Sequence, residues 1–224
     1  MINENQRQNT STLAYEKIRN KIIELELEPG EHIIEVKLSE ELNISRTPLR
    51  QALNQLQLEG LVMKGTNGRI YVAELDVKDI IEVFHVREVL EGLIIREATN
   101  HVTDDDIEQM DHFIQLMKMT AAEKKYDKTV FYGSQFHHRL YGPSGCQTAV
   151  RFLEQIKGHI ERFRRIPGYR QPDYNVDRVV KEHEELLFLI KQNKPEEAEA
   201  SMKKHIQRSL KTTLEVINTH CRLK

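Results

Sequence analysis

The chain has 224 residues, a formal net charge of −2, and 39% hydrophobic and 30% charged residues, the profile of an ordinary globular protein of one or two domains. Tryptophan is absent and the aromatic share is 6%, a balance that suits helices packed through Leu, Ile and Val. The two cysteines, Cys146 and Cys221, stand far apart without Cys-x-x-Cys or Cys/His spacing, which excludes a disulfide framework and a thiolate zinc site.

Residues 1–10 are polar and lack the apolar core that a signal peptide needs. The longest aliphatic cluster, residues 186–190, falls far short of the roughly 20 residues that cross a bilayer. A reducing cytoplasm and no membrane partner are therefore expected. No repeat period or low-complexity tract is evident.

In chain order, residues 1–11 read as a flexible arm. Ser11 or Thr12 can cap a helix carrying Leu13, Ala14, Ile18, Ile22 and Leu25, which ends before Pro29-Gly30. Residues 35–43 form a short helix with Val36, Leu38 and Leu42 as its buried side, and Asn43-Ile44 turns the chain into a second helix. That helix opens on Ser45-Arg46-Thr47-Pro48-Leu49-Arg50-Gln51-Ala52-Leu53. Ser45 can cap it, and Pro48 sits in the first turn, where a missing N–H costs nothing. Leu49, Ala52, Leu53 and Leu56 recur at helical spacing, which leaves Arg46, Thr47, Arg50, Gln51 and Asn54 facing outward.

Those outward side chains offer guanidinium forks for phosphates or guanine edges, and hydroxyl and amide groups for backbone or adenine. The two helices make a helix-turn-helix, whose second member enters the major groove. Residues 61–64 and 69–73 are strand-like around a Gly65-Thr66-Asn67-Gly68 turn. A hairpin in that place is a wing, and Lys64 and Arg69 would reach flanking phosphates or the minor groove. Residues 1–75 carry nine basic and eleven acidic residues, yet none of the acids falls between Ile44 and Leu58. Local placement, not bulk charge, therefore nominates duplex DNA as the partner.

The run Ser45 to Leu53, then Leu58-Glu59-Gly60-Leu61-Val62, then a glycine-bearing hairpin, resembles the winged-helix half of the GntR family of bacterial transcription regulators. The preceding Leu25-Glu26-Leu27-Glu28-Pro29-Gly30-Glu31 and a short strand over residues 32–34 also fit, so the likeness covers about residues 12–73. The resemblance implies that Arg46, Thr47 and Arg50 are the principal DNA contacts, assisted by Ser45 and the wing residue Gly68. A basic side chain often found in the first helix of the motif is Val36 here, with Lys37 adjacent.

After the boundary at residues 74–76 everything reads helical. Helices are expected over residues 77–100, 104–124, 127–141, 147–166, 175–192 and 195–220. They are separated by Gly142-Pro143-Ser144-Gly145, Pro167-Gly168, Pro172 and Asn193-Lys194-Pro195. Asp76 can cap the first, and Thr103 with Asp106 resembles a capping box for the second. The first should bury Ile80, Phe84, Leu90, Ile94 and Ala98, with Arg87 and Glu91 on the same stripe one turn apart. The fold class is thus mainly α: an N-terminal winged helix-turn-helix (residues 12–75) plus a C-terminal antiparallel all-α bundle (residues 76–224).

His137, His183 and His205 each fall on the apolar face of a different helix. One buried histidine is usually satisfied by a backbone carbonyl; three facing one core would each carry a desolvation cost of roughly 1–3 kcal/mol. Shared coordination of a divalent metal answers that cost. Arg87 either pairs with Glu91 on an interhelical surface or recognises an anion, since a guanidinium on a core stripe needs a bidentate partner. Arg162, Arg164 and Arg165 could add to the mouth of a pocket, but read first as solvated side chains. His85, His101, His112, His138, His159 and His220 show no convergent spacing.

Phe136-His137, Glu182-His183 and Met202-Lys203-Lys204-His205, with Val86-Arg87-Glu88-Val89-Leu90-Glu91 upstream, resemble the FCD effector-binding domain of the FadR-like GntR branch. That resemblance implies a metal-type site built from an Asp-x-x-Phe-His segment and the two later histidines. Gly133 stands at the aspartate position here. Three imidazoles can still hold Zn²⁺ or Ni²⁺, with water or an effector carboxylate completing the shell. The competing arrangement is a metal-free pocket in which Arg87 and the histidines grip an organic anion directly.

The function expected is a ligand-responsive regulator, a repressor acting as a homodimer on an inverted-repeat operator. A small carboxylate in the bundle would alter the placement of the winged helices and weaken operator binding. A metal-dependent hydrolase using the three histidines is the rival from another class, but no nucleophile motif, His-Glu-x-x-His or general base accompanies them. A constitutive DNA-binding dimer is the third possibility.

Overall fold

Helix α1 (Glu4–Ile23) presents Ala14, Ile18 and Ile22 on one face, all fully buried. They meet the apolar side of α3 (Arg46–Leu58), made of Leu49, Ala52, Leu53 and Leu56. This is a computed structural model, and it describes residues 4–170 and 175–220. Between those helices come strand β1 (His32–Ile33) and helix α2 (Glu35–Leu42); after them come β2 (Val62–Lys64) and β3 (Ile70–Val72). The strands form an antiparallel sheet in the order β1-β3-β2, with His32 opposite Tyr71 and Val62 opposite Val72. Asn43 closes α2 in the left-handed conformation at φ 53°, which asparagine tolerates and which swings the chain into α3.

Residues 1–76 form one compact unit together with residues 156–162, a stretch of α8 (Gln147–Arg170). Gly158 of α8 leaves room for Leu61, whose Cδ1 would lie 2.8 Å from a Cβ added there. His159 Nε2 lies 2.8 Å from the carbonyl oxygen of Glu59 at the end of α3. Arg162 Nη2 donates to the Ala73 carbonyl at 2.7 Å, and Arg19 pairs with Glu161 at 2.9 Å.

The second unit holds α4 (Val77–Thr99), α5 (Asp104–Ala122), α6 (Tyr126–Arg139), α7 (Tyr141–Ser144), the remainder of α8, α9 (Val176–Lys191) and α10 (Pro195–His220). Helix α4 packs along α10, α5 against α6 and α9, and α9 against α10. Thr103 and Asp106 make a reciprocal capping box at the start of α5. Among the described residues no helix is long and apolar enough to cross a membrane.

Several local expectations are corrected. Helix α1 begins at Glu4, inside the stretch read as an arm. Leu13 is 47% exposed and Val36 43% exposed. Leu38 and Leu42 are one helical turn apart, whereas Val36, two residues from Leu38, points to another side. Ser45 holds the N-cap position of α3 with extended backbone, but its side chain makes no capping bond. Leu90 is only half-buried. Residues 142–145 do not simply break the chain: they contribute most of the one-turn α7, where Pro143 falls in a first turn that needs no N–H. Helix α8 runs through Pro167-Gly168 to Arg170, anchored just before by buried Phe163 and Ile166; Pro172 lies outside the described residues.

Leu53 is fully buried beneath the outward face of α3. Leu53→Ala is expected to cost about 2–5 kcal/mol of stability, read from urea unfolding followed by circular dichroism.

Candidate DNA interface and metal centre

Burying its leucine face leaves Arg46, Thr47, Arg50, Gln51 and Asn54 of α3 exposed together, with Ser45 beside them. Arg50 Nε donates to Glu35 of α2 at 2.8 Å, and the arginine stays 62% exposed. An exposed pair of this kind is worth about 0–1 kcal/mol, so it yields readily to a phosphate. On the wing, Lys64, Gly68 and Arg69 are all exposed. Asn67 organises the tip by accepting from the Arg69 N–H at 3.0 Å and donating to the Tyr71 hydroxyl at 3.0 Å. Gly68 has φ +77° and open space around it, a turn position that glycine adopts without strain.

In the helical unit, His137 of α6, His183 of α9 and His205 of α10 converge. All three are at most 3% exposed, and their ligand nitrogens lie within 4.8 Å of one another. Small ring movements bring such a set to the roughly 3.3 Å that separates two nitrogens on one tetrahedral zinc. His183 Nδ1 donates to the Val179 carbonyl at 2.8 Å and His205 Nδ1 to Glu182 at 2.8 Å. His137 Nδ1 donates to Glu91. Carboxylates and carbonyls only accept, so each Nδ1 carries the proton and each Nε2 is left as a lone pair. Among the described residues, no Nε2 of the three has a hydrogen-bond partner. Outer atoms anchored by acceptors and inner lone pairs unsatisfied are what a metal-binding imidazole set requires.

Burial holds the imidazoles neutral. It pushes His137 down to about 4, with Arg87 and Arg164 acting in the same direction and Glu91 opposing. His183 and His205 lie well below the usual histidine range, through burial and then through their neighbours. Burial alone would raise the Glu91 carboxyl, but Arg87 and His137 hold it well below the ordinary value.

Arg87 is wholly buried and donates Nε to Glu91 at 2.6 Å, with its guanidinium 5.8 Å from the Phe84 ring. Among the described residues its Nη1 and Nη2 have no hydrogen-bond partner, so the ion pair with Glu91 leaves two donors for an anion. Of the two readings of Arg87, the ion pair with Glu91 is the one seen in the structure. Arg162 and Arg164 are buried, at 1% and 8% exposure, where solvated side chains were expected; the side chain of Arg165 lies outside the described residues, as does that of His220.

Sequence reasoning assigned no part to Glu182. It sits one residue off the His183 stripe, so periodicity sends it to solvent, yet it reaches across to His205 and Arg208 of α10 as well as pairing with Arg178 one turn back in α9. The helix-face pattern likewise paired Glu91 with Arg87 but could not show its second oxygen meeting His137.

An exposed arginine-bearing helix in a winged unit, joined in one chain to a bundle with a buried three-imidazole centre, is the layout of a transcription regulator that couples DNA to a small molecule. Residues 10–72 match the bacterial regulatory proteins of the gntR family, and residues 82–208 match the FCD domain. The Nta operon transcriptional regulator of Aminobacter aminovorans is 30% identical over 190 residues, covering 84% of this chain and 87% of that protein. The HTH-type transcriptional repressor RspR of Escherichia coli is 22% identical over 195 residues, 86% of this chain and 84% of that one. The solved structure of E. coli McbR/YncC has a TM-score of 0.79 at 17% identity, covering 92% of this chain and 97% of that chain, which supports the fold. The chain belongs to the GntR family and carries its FCD effector-binding domain. That family consists of transcription regulators, not enzymes, so the hydrolase alternative falls away.

The depressed histidines set a pH dependence for the metal-free protein. Between the ordinary histidine value near 6.5 and about 4 for His137, the unfolded chain binds protons that the folded one refuses. Stability is therefore full above that window and falls as pH drops through it. The slope is expected to reach about 1.4 kcal/mol per pH unit for each histidine concerned. Denaturant unfolding of chelator-treated protein at pH 7.5 and pH 5.5 checks this.

Proposed function

We propose that the protein is a cytoplasmic, dimeric repressor that releases an inverted-repeat operator when a small carboxylate binds its helical unit. Arg46, Thr47 and Arg50, helped by Ser45 and Gln51, would contact the major groove and its phosphates. Lys64, Gly68 and Arg69 would contact the flanking backbone. Two copies on a two-fold site would let a unit without a basic excess bind tightly, since the second copy doubles the specific contacts.

His137, His183 and His205 would hold a divalent metal, Zn²⁺ or Ni²⁺, and Arg87 with the same centre would receive the carboxylate. When bound, the metal supplies a Lewis-acidic position for an oxygen ligand. The carrying observation is three buried rings whose ligand nitrogens lie within 4.8 Å of one another, with every Nδ1 anchored and every Nε2 without a hydrogen-bond partner among the described residues. Repression is favoured by the relatives whose names say repressor, RspR and the gluconate operon repressor of Bacillus licheniformis. An effector with unequal affinity for the DNA-bound and free arrangements shifts operator affinity by that difference.

Selection of genomic fragments by the purified protein identifies the operator. On it, Arg46→Ala and Arg50→Ala are each expected to cost about 1–3 kcal/mol, roughly 5- to 150-fold in affinity. Unchanged affinity in both refutes the assignment of the contact helix. His183→Ala is expected to lower the metal content found by elemental analysis while leaving effector-free operator binding close to wild type; equal metal content in the variant counts against the histidine site.

A further inference from the structure

Arg46 and Arg50 stand one turn apart on the exposed face of α3, yet their surroundings differ. Arg50 Nε donates to Oε2 of Glu35 at 2.8 Å. Among the described residues the Nη1 and Nη2 of Arg50 have no hydrogen-bond partner, and Arg46 has no ion pair. Glu35 is the first residue of α2, and its side chain is 26% exposed against 62% for Arg50. The carboxylate thus belongs to the positive end of α2, and the arginine reaches it across the turn between the helices. That turn is firmly made. Leu38 and Leu42 of α2 share one core with Leu49 and Leu53 of α3, and Ser39 Oγ donates to the Ile44 carbonyl at 2.7 Å. No acid falls between Ile44 and Leu58, so this carboxylate is delivered to the reading face from the neighbouring helix.

A guanidinium held through Nε keeps its outer edge, the Nη1 and Nη2 pair, for a second partner. That edge matches the O6 and N7 acceptors of a guanine in the major groove. A neutral base edge can be taken with Glu35 left in place. A phosphate cannot be taken on the same terms, because its negative charge must displace the carboxylate or stand beside it. The pair is weak in water, so the penalty on any one phosphate is small, but it falls on every unspecific encounter. Where a base edge excludes water, the attraction between the two side chains grows. An arginine already tethered also loses less freedom on meeting its base.

We propose, resting on the contact-helix reading above, that Glu35 is a specificity-determining positioning residue. It aims Arg50 at a guanine edge in the major groove and disfavours the use of the same arginine on phosphates. Glu35 itself touches no base and acts through Arg50. Arg46, without a carboxylate partner, lies outside its influence.

The test uses the full chain and the duplex recovered by selection of genomic fragments, with each half-site position changed in turn and a scrambled duplex as the unspecific probe. The wild type is expected to prefer one guanine by about fivefold or more, and Arg50→Ala to reduce that preference below about twofold. Glu35→Gln keeps the shape and removes the charge. It is expected to lower the preference at that same position about threefold and to raise affinity for the scrambled duplex about two- to fivefold. In the Arg50→Ala background the same change should alter neither quantity by more than about 1.5-fold. Putting 7-deazaguanine in place of that guanine removes its N7 acceptor and is expected to weaken wild-type binding about threefold or more. That arm needs no variant, and circular dichroism establishes that Glu35→Gln folds. If Arg50→Ala weakens all half-site sequences alike, or 7-deazaguanine costs nothing, Arg50 is a phosphate contact; the proposal is then overturned and α3 stays the contact helix. Base preference unchanged in Glu35→Gln, or lost only at another position, overturns the role given to Glu35. Unchanged operator affinity in both Arg46→Ala and Arg50→Ala overturns the contact-helix reading and this proposal with it.

Discussion

The helical unit depends on one constraint: three buried imidazoles whose outer nitrogens are all spoken for. Glu91 on α4 accepts the Nδ1 hydrogen bond of His137 on α6, Glu182 on α9 accepts that of His205 on α10, and the Val179 carbonyl accepts that of His183 within α9. These bonds fix the tautomer of every ring and tie four helices together at one point. They also create the demand at the centre. Once Nδ1 donates, Nε2 is left to accept, and among the described residues no donor bonds to any of the three Nε2 atoms.

The same side chain, arginine, is used in two opposite ways, and the difference lies in its surroundings. On α3 the leucine face is consumed by α1 and the sheet, so Arg46 and Arg50 remain in water, with Glu35 as a weak, exchangeable partner for Arg50. In the bundle, Arg87 is enclosed with Glu91, and breaking such a buried pair leaves an uncompensated charge. Arg162 is buried by donating to a backbone carbonyl, and Arg164 by donating to Ser134. A cation can enter the interior wherever a fixed acceptor meets it.

The recognition helix, the wing, the capping box at Thr103 and the three histidine-bearing stripes were all legible in the residue pattern, because each is a property of one segment and its own period. Val36 and Leu13, 43% and 47% exposed, show the margin of that method: apolar character alone does not say how far around a helix its neighbours reach. Pro143 and Pro167 show another margin. Proline removes one backbone donor, and whether the helix stops there depends on where in the turn it falls and on how firmly neighbours such as Phe163 and Ile166 are packed.

The residue order alone therefore determined which side chains each helix would turn inward and that a winged, arginine-bearing helix precedes an all-helical remainder. Tertiary structure decided who meets whom across helices: Glu182 with His205, the second oxygen of Glu91 with His137, Arg164 against Gly133. Periodicity describes a helix about its own axis and is silent on the rotation and register of its neighbours. Those are settled by packing, which joins residues dozens of positions apart and gives the centre both its chemistry and its charge.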